Sequence, residues 1–230
     1  MNSEQLSAAD VMELTMTRQA IVERSQALWG SEISVVGSGD REQLDWAYGE
    51  ALRRTLPRRK TLQAIAHRFV KVDQAALMND TLIQNIVQVA HALEKQGHTL
   101  TLSIDNPLDA LPGPVERRAM VRQLYKLKDQ SGIKLAYNHY TLDTKPGDLL
   151  IDLKLYDYIK MPFPDSALRL SLNTRSGLFD RLYERMLELI NAARVRFIAE
   201  NIEFSDSAML AKNLPFEYFQ GGYYSPADRL

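Results

Sequence analysis

Two stretches near the end of the chain organise its reading: Arg196-Phe197-Ile198-Ala199-Glu200-Asn201-Ile202-Glu203 and Phe216-Glu217-Tyr218-Phe219-Gln220-Gly221. Each opens with a short apolar run that reads as a strand, Arg196 to Ala199 and Glu217 to Phe219, and each then turns polar. Working outward, the same kind of run recurs at Ala20 to Glu23, Ile33 to Val36, Arg68 to Val72, Thr99 to Ile104, Ile133 to Tyr137 and Tyr158 to Met161. Longer segments of helical character separate several of them: Arg41 to Leu56, Asp80 to Gln96, Pro114 to Gln130 and Ser176 to Ala193. Strands alternating with helices predict repeated β/α units around a mostly parallel sheet, and eight strands suit a TIM-type (β/α)8 barrel.

Individual helices support this. Val121, Leu124 and Leu127 recur at helical spacing, and Gly132 stands where a left-handed cap would stop that helix before the next strand. Leu182, Met186 and Ile190 form an apolar stripe opposite Arg181, Glu184, Arg185 and Glu188, a pattern that faces a core rather than a cofactor. No Pro/Gly/Ser-rich linker and no internal repeat divides the chain, so residues 1–230 are read as one domain, with 1–14 as an N-terminal helix or tail.

The 230 residues suffice for one large domain. A formal net charge of -1 gives no reason to expect a general polyanion binder, and nucleic acid is not the expected partner. The chain has no cysteine, which removes disulfides, thiolate catalysis and thiolate zinc sites. Met1 to Asp10 lacks the basic and apolar regions of a signal peptide, and no run approaches the roughly 18 apolar residues of a membrane span. A cytoplasmic, soluble protein is expected.

Several segments resemble the EAL domain, the bacterial cyclic-di-GMP phosphodiesterase family. Ala199 to Glu203 and Phe216 to Gly221 resemble its final motifs, and Glu203 and Gln220 take the places of the family's late glutamate and glutamine. Arg18-Gln19-Ala20-Ile21-Val22-Glu23-Arg24 and Leu28-Trp29-Gly30-Ser31-Glu32-Ile33 resemble its Gln-Pro-Ile-Val and Glu-Ala-Leu strands, in the style of EAL domains that precede an HDOD domain. This likeness implies a barrel of the EAL kind, with the first strand a candidate for the antiparallel direction, and it covers the EAL part without the HDOD part. The resemblance implies that Glu32 is the signature metal-ligand glutamate and that Gln19, Glu32 and Gln220 are the residues through which any nucleotide would bind.

The rest of the implied site is substituted. The phosphate-contacting arginine falls on Val36, and an aliphatic side chain cannot replace a bidentate guanidinium contact. The metal-binding asparagine falls on Lys71, whose ammonium has only donors. A ligand glutamate falls on Ser103, with Asp105 brought into play if the register shifts. Both rim aspartates are replaced, by Asn138 and His139. Lys160 keeps the family lysine, while the aspartate two residues later has become Pro162.

Two-metal phosphodiester hydrolysis needs carboxylates to hold two cations about 3.5–4 Å apart. This set does not supply them, so no metal and no cofactor is expected. Lys71 is expected to stand in for the missing cation by pairing with Glu32 or Glu203, because buried carboxylates need a counter-charge. His139 reads as a hydrogen-bonded rim residue; His67, His91 and His98 form no constellation.

Arg53, Arg54, Arg58, Arg59 and Lys60 make one basic cluster, and Arg118, Arg122 and Lys126 recur on one helix face as an interaction candidate for an acidic partner. The family's dimer loop corresponds to Asn138 to Gly147, which departs from its pattern. The expected function is that of a catalytically inactive bacterial signalling protein that acts on an unidentified protein partner. A non-hydrolysing cyclic-di-GMP receptor and a residual phosphodiesterase are the alternatives, with Val36 and the lost rim aspartates counting against both.

Overall fold

The computed structural model describes residues 13–57, 65–143, 154–174 and 176–230. Among these, β1 (Thr15–Glu23), β2 (Leu28–Val36), β3 (His67–Asp73), β4 (Thr99–Asp105), β5 (Lys134–Tyr137), β6 (Tyr158–Pro162), β7 (Arg196–Glu200) and β8 (Phe216–Phe219) hydrogen-bond in sequence and close, because β1 pairs with both β8 and β2. The result is a closed eight-stranded barrel of TIM type. β1 runs antiparallel to both its neighbours, while β2 to β8 are mutually parallel. A two-residue strand, β9 (Asp228–Arg229), is added to the edge of β1.

The antiparallel start follows from a hairpin. Gln26 adopts the left-handed conformation at φ 68, and Glu23 and Ala27 close the turn through a 2.9 Å backbone hydrogen bond. Arg24 then fastens the hairpin to the start of β8, donating to the carbonyls of Phe216 at 2.7 Å and Lys212 at 2.6 Å.

Outside the barrel lie α1 (Arg41–Thr55), α2 (Asp80–Glu94), α3 (Pro114–Ser131), α4 (Asp165–Thr174), α5 (Leu178–Ala193) and α6 (Ser205–Ala211). Asp40 and Gln43 form a reciprocal capping box at the start of α1. Val121, Leu124 and Leu127 of α3 are buried, as are Leu182 and Met186 of α5, so the apolar stripes face the sheet. The helices α4 and α6 and the strand β9 were not expected. The two helices are short and bury few apolar residues, Leu168 alone on α4, which leaves little periodic signal. β1 also begins earlier than its apolar run, since Thr15, Thr17 and Arg18 belong to it. The tail expected at residues 1–14 and the basic residues at 58–60 lie largely or wholly outside the described residues.

Strand periodicity sorts the core into two compartments. Val70, Val72, Leu102, Ile104, Leu135, Ile159 and Phe197 point outward against the helices. Ile21, Phe69, Ala136, Tyr158, Ile198 and Tyr218 fill the barrel interior, and Trp29 packs on them, stacked between Tyr218 at 3.7 Å and His67 at 4.2 Å. Two residues from each of these six stands a polar one on the same face: Gln19, Lys71, Asn138, Lys160, Glu200 and Gln220. The barrel is therefore apolar below and polar at the C-terminal end of its parallel strands, the end at which this architecture builds its sites.

Two glycines show how backbone placement supports that end. Gly132 caps α3 at φ 62 with open space around it, as its position predicts. Gly221 follows β8 at φ 153, where a Cβ would overlap the backbone of Ile202. Gly132→Ala is expected to cost about 1–2 kcal/mol, the strain of a left-handed residue alone. Gly221→Ala should cost on the order of 3 kcal/mol or more, because strain is joined by a backbone clash. Denaturant unfolding of the two variants checks this; equal small losses would contradict the packing described for Gly221.

Candidate functional site

The polar layer centres on Lys160, which is 0% exposed. It is carried on β6, directly across the ring from β2, and its ammonium crosses the interior to Glu32. The distances from Nζ are 2.6 Å to both Glu32 carboxylate oxygens and 2.9 Å to Oε1 of Glu200 on β7. Ser103 on β4 donates to Oε2 of Glu32 at 2.7 Å, and Gln220 donates to Oε1 at 3.3 Å. Glu32 therefore has each oxygen held by two donors.

Burial alone would push the Glu32 carboxyl up, but the charge and hydrogen bond of Lys160, the Ser103 hydroxyl and the charge of Lys71 together hold it below its ordinary value. Burial would likewise push Lys160 down, and Glu200 and Glu32 reverse the direction. Both groups stay charged because each is the other's partner.

This corrects the expectation for Lys71. Lys71 on β3 does not pair with Glu32 or Glu203; its nearest carboxylate is Asp105 on the adjacent strand, at 3.7 Å. Asp105 also accepts from Nδ1 of His139 at 3.0 Å. That hydrogen bond holds Asp105 down and His139 up from their ordinary values, outweighing burial in each case. His139 has left the strand, with φ 56, so its ring turns to the rim as a hydrogen-bonded histidine.

Glu203 does not reach this layer. Asn201 at φ 58 turns the chain at the end of β7, Ile202 is buried, and Glu203 is exposed and accepts from the Gly222 backbone at 3.2 Å. The carboxylate that reaches the layer is Glu200, three residues earlier and two residues from the interior Ile198. That spacing was readable in the sequence. Asn138 is buried in the barrel, and among the described residues neither its Oδ1 nor its Nδ2 has a partner.

Gln19, Glu32, Ser34, Lys71, His139, Glu200, Asn201 and Gln220 surround a cavity of about 150 Å³ at this end of the barrel. Gln19 is occupied, donating through Nε2 to the Ser225 carbonyl at 3.0 Å. Val36, at the end of β2, is exposed and outside the cavity lining. Arg118, Arg122 and Lys126 stand together on the exposed face of α3, far around the helix from Leu124 and Leu127. Arg53 and Arg54 are both paired with Glu50.

Solved structures similar in shape carry EAL domains. The Bacillus subtilis YkuI protein, with an EAL domain, in complex with substrate c-di-GMP and calcium, matches with a TM-score of 0.70 and 19% identity over 94% of this chain and 55% of its own. The Xanthomonas citri FimX EAL domain in complex with c-diGMP matches with a TM-score of 0.69 and 15% identity, over 94% of this chain and 88% of its own. The EAL enzyme Bd1971, in its cAMP and cyclic-di-GMP bound form, matches with a TM-score of 0.68 and 13% identity, over 94% of this chain and 62% of its own. The chain thus spans about three fifths of Bd1971 and just over half of YkuI. No protein-family model and no curated protein matches it. At these identities the likeness establishes the fold: the closed barrel with its reversed first strand is that of an EAL domain.

A divalent cation does not fit the residues gathered here. Hard cations take several oxygen ligands, and among the described residues no group of three or more His, Asp or Glu side chains is placed to hold one. The buried carboxylate of Glu32 and the partly buried one of Glu200 already share an ammonium. Lys160→Met is expected to cost about 3–5 kcal/mol, since it leaves the buried carboxylate of Glu32 without its counter-ion and facing the partly buried Glu200. Lys71→Met should cost less than about 1 kcal/mol, because its pair with Asp105 is partly exposed. Chemical denaturation of both variants measures the contrast, and a reversed order would contradict the assignment of Lys160 as the counter-ion.

Proposed function

We propose that this chain is a degenerate EAL-type barrel that acts in bacterial cyclic-di-GMP signalling through protein contacts, without hydrolysing the nucleotide. The observation that carries the reading is the ammonium of Lys160 between Glu32 and Glu200. Hydrolysis by the two-metal route requires carboxylates free to bind cations and activate water, and here the carboxylates are committed to a lysine. Ser103 completes the replacement, offering Glu32 a hydroxyl donor where the resemblance implied another acid.

The cavity supports the protein-contact reading over the receptor reading. About 150 Å³ is smaller than the roughly 300–1,000 Å³ typical of small-molecule pockets. Gln19 and Gln220, two of the residues through which the nucleotide was expected to bind, spend donors on Ser225 and Glu32. On the outer surface, Arg118, Arg122 and Lys126 offer an acidic protein partner a cationic face, the arrangement that steers association by charge. A scaffold retained for docking needs no chemistry at the barrel mouth.

The receptor reading has its own support, since YkuI and FimX were solved with the cyclic dinucleotide bound. Isothermal calorimetry with cyclic-di-GMP, with and without magnesium, followed by a hydrolysis assay, separates the two. The expected result is no saturable heat and no turnover in either condition. Micromolar binding without turnover would replace the proposal with a receptor, and metal-dependent turnover would overturn both.

A further inference from the structure

The outer faces of α1, α2 and α3 form one surface, because α2 packs between the other two. Each helix follows one of the parallel strands, so all three begin at the same end of the barrel. At that end three large apolar side chains stand in the open. Trp46 on α1 is 65% exposed, Met78, two residues before α2, is 67% exposed, and Val115 on α3 is 69% exposed. The footing of the first two is fixed: Arg41 holds both Asp45 and Asp73, Asp45 accepts from Asn79 at 2.7 Å, and Asn79 caps α2. A frame already ordered lowers the cost of association.

Charge is divided across this surface. On the α1 side, Asp40 and Glu42 have no ion pair among the described residues, and Arg41 is outnumbered by the two aspartates it holds. On the α3 side, Arg118, Arg122 and Lys126 have no carboxylate partner among the described residues. Between the two, residues 81–93 of α2 contain no Asp, Glu, Lys or Arg, although the chain is 25% charged. The exposed positions of that stretch are Thr81, Gln84, Gln88 and His91. A centre depleted of charge, with aromatic and methionine anchors beside it and charged groups at its rim, is the composition of a protein interface.

We propose that this surface is the contact between two copies of the chain, related by a two-fold axis that runs along α2. Such a contact is isologous, so each copy offers the same patch to the other. Rotation about an axis parallel to the helices keeps their N-terminal ends level and lays α1 of each copy on α3 of the other. Trp46 then meets the region of Val115, and Glu42 meets that of Arg118 and Arg122, twice over. The uncharged faces of α2 meet at the axis, where like charges would otherwise oppose each other. Three helices side by side make a face of roughly 20 by 25 Å, the scale of the about 800 Å² per partner that a stable interface uses. The inference rests on the reading of α3 as a face for an acidic protein, and names that protein as a second copy.

Analytical ultracentrifugation of the full chain is expected to show a reversible monomer–dimer equilibrium in the micromolar range. Trp46→Ala should weaken it by about 30-fold, the effect of losing an interface anchor. Glu42→Arg and Arg122→Glu should each weaken it about tenfold. Their equimolar mixture restores opposite charges at both contacts, so it should dimerise as the wild type does. All three positions are exposed, and circular dichroism of each variant verifies that it is folded. A chain that stays monomeric at every concentration, a dimer indifferent to Trp46→Ala and to both reversals, or a mixture as weak as its components would overturn the proposal. Its failure is distinct from failure of the functional reading, since binding or turnover of cyclic-di-GMP would sink that reading and leave the sedimentation result unchanged.

Discussion

The ion pair that bridges the inside of the barrel, from Lys160 on β6 to Glu32 on β2, is the constraint around which the functional end is arranged. Two charges removed from water gain stability only when geometry is good and the remaining donors and acceptors are satisfied. Here the carboxylate accepts four hydrogen bonds from three groups and the ammonium has three oxygens from two acids. Remove the ammonium and Glu32 is stranded in the core beside a second, partly buried carboxylate. The arrangement thus makes a metal site and the present fold competitors for the same oxygens.

The surrounding groups follow from that commitment. With Glu32 and Glu200 satisfied within the barrel, Lys71 is free to lie along the rim, where Asp105 joins it to His139. These three are partly exposed and partly screened, so they contribute modestly to stability. They also leave the mouth small and polar, lined by groups that already hold one another. A barrel built this way presents its variable surface on the helices, which is where a protein-contact role would have to be carried.

Much of the fold was legible because barrel strands announce themselves as short apolar runs, and the eight expected runs fall on the eight strands that close the ring, with Ile133 alone just outside its strand. What escaped was either short, as in α4 and α6, or polar along its length, as in the first half of β1. The site was legible in part. Glu32, Ser103, Lys160 and Gln220 were singled out and meet in space, although their sequence separations reach 188 residues. The choice between Lys71 and Lys160 was not legible from type or charge, because it depends on which strand faces β2 across the ring. Glu200 was passed over for Glu203, although the two-residue step from Ile198 placed Glu200 on the inward face; only the turn at Asn201 shows that Glu203 is carried outward.

The most direct measurement of the central claim follows the NMR signals of the Lys160 ammonium and the Glu32 carboxyl group while the paramagnetic ion Mn²⁺ is added. If the lysine has taken the cation's place, both signals persist unbroadened as manganese is increased. Selective broadening of Glu32 and Lys160 would place a metal ion among these oxygens and contradict the account.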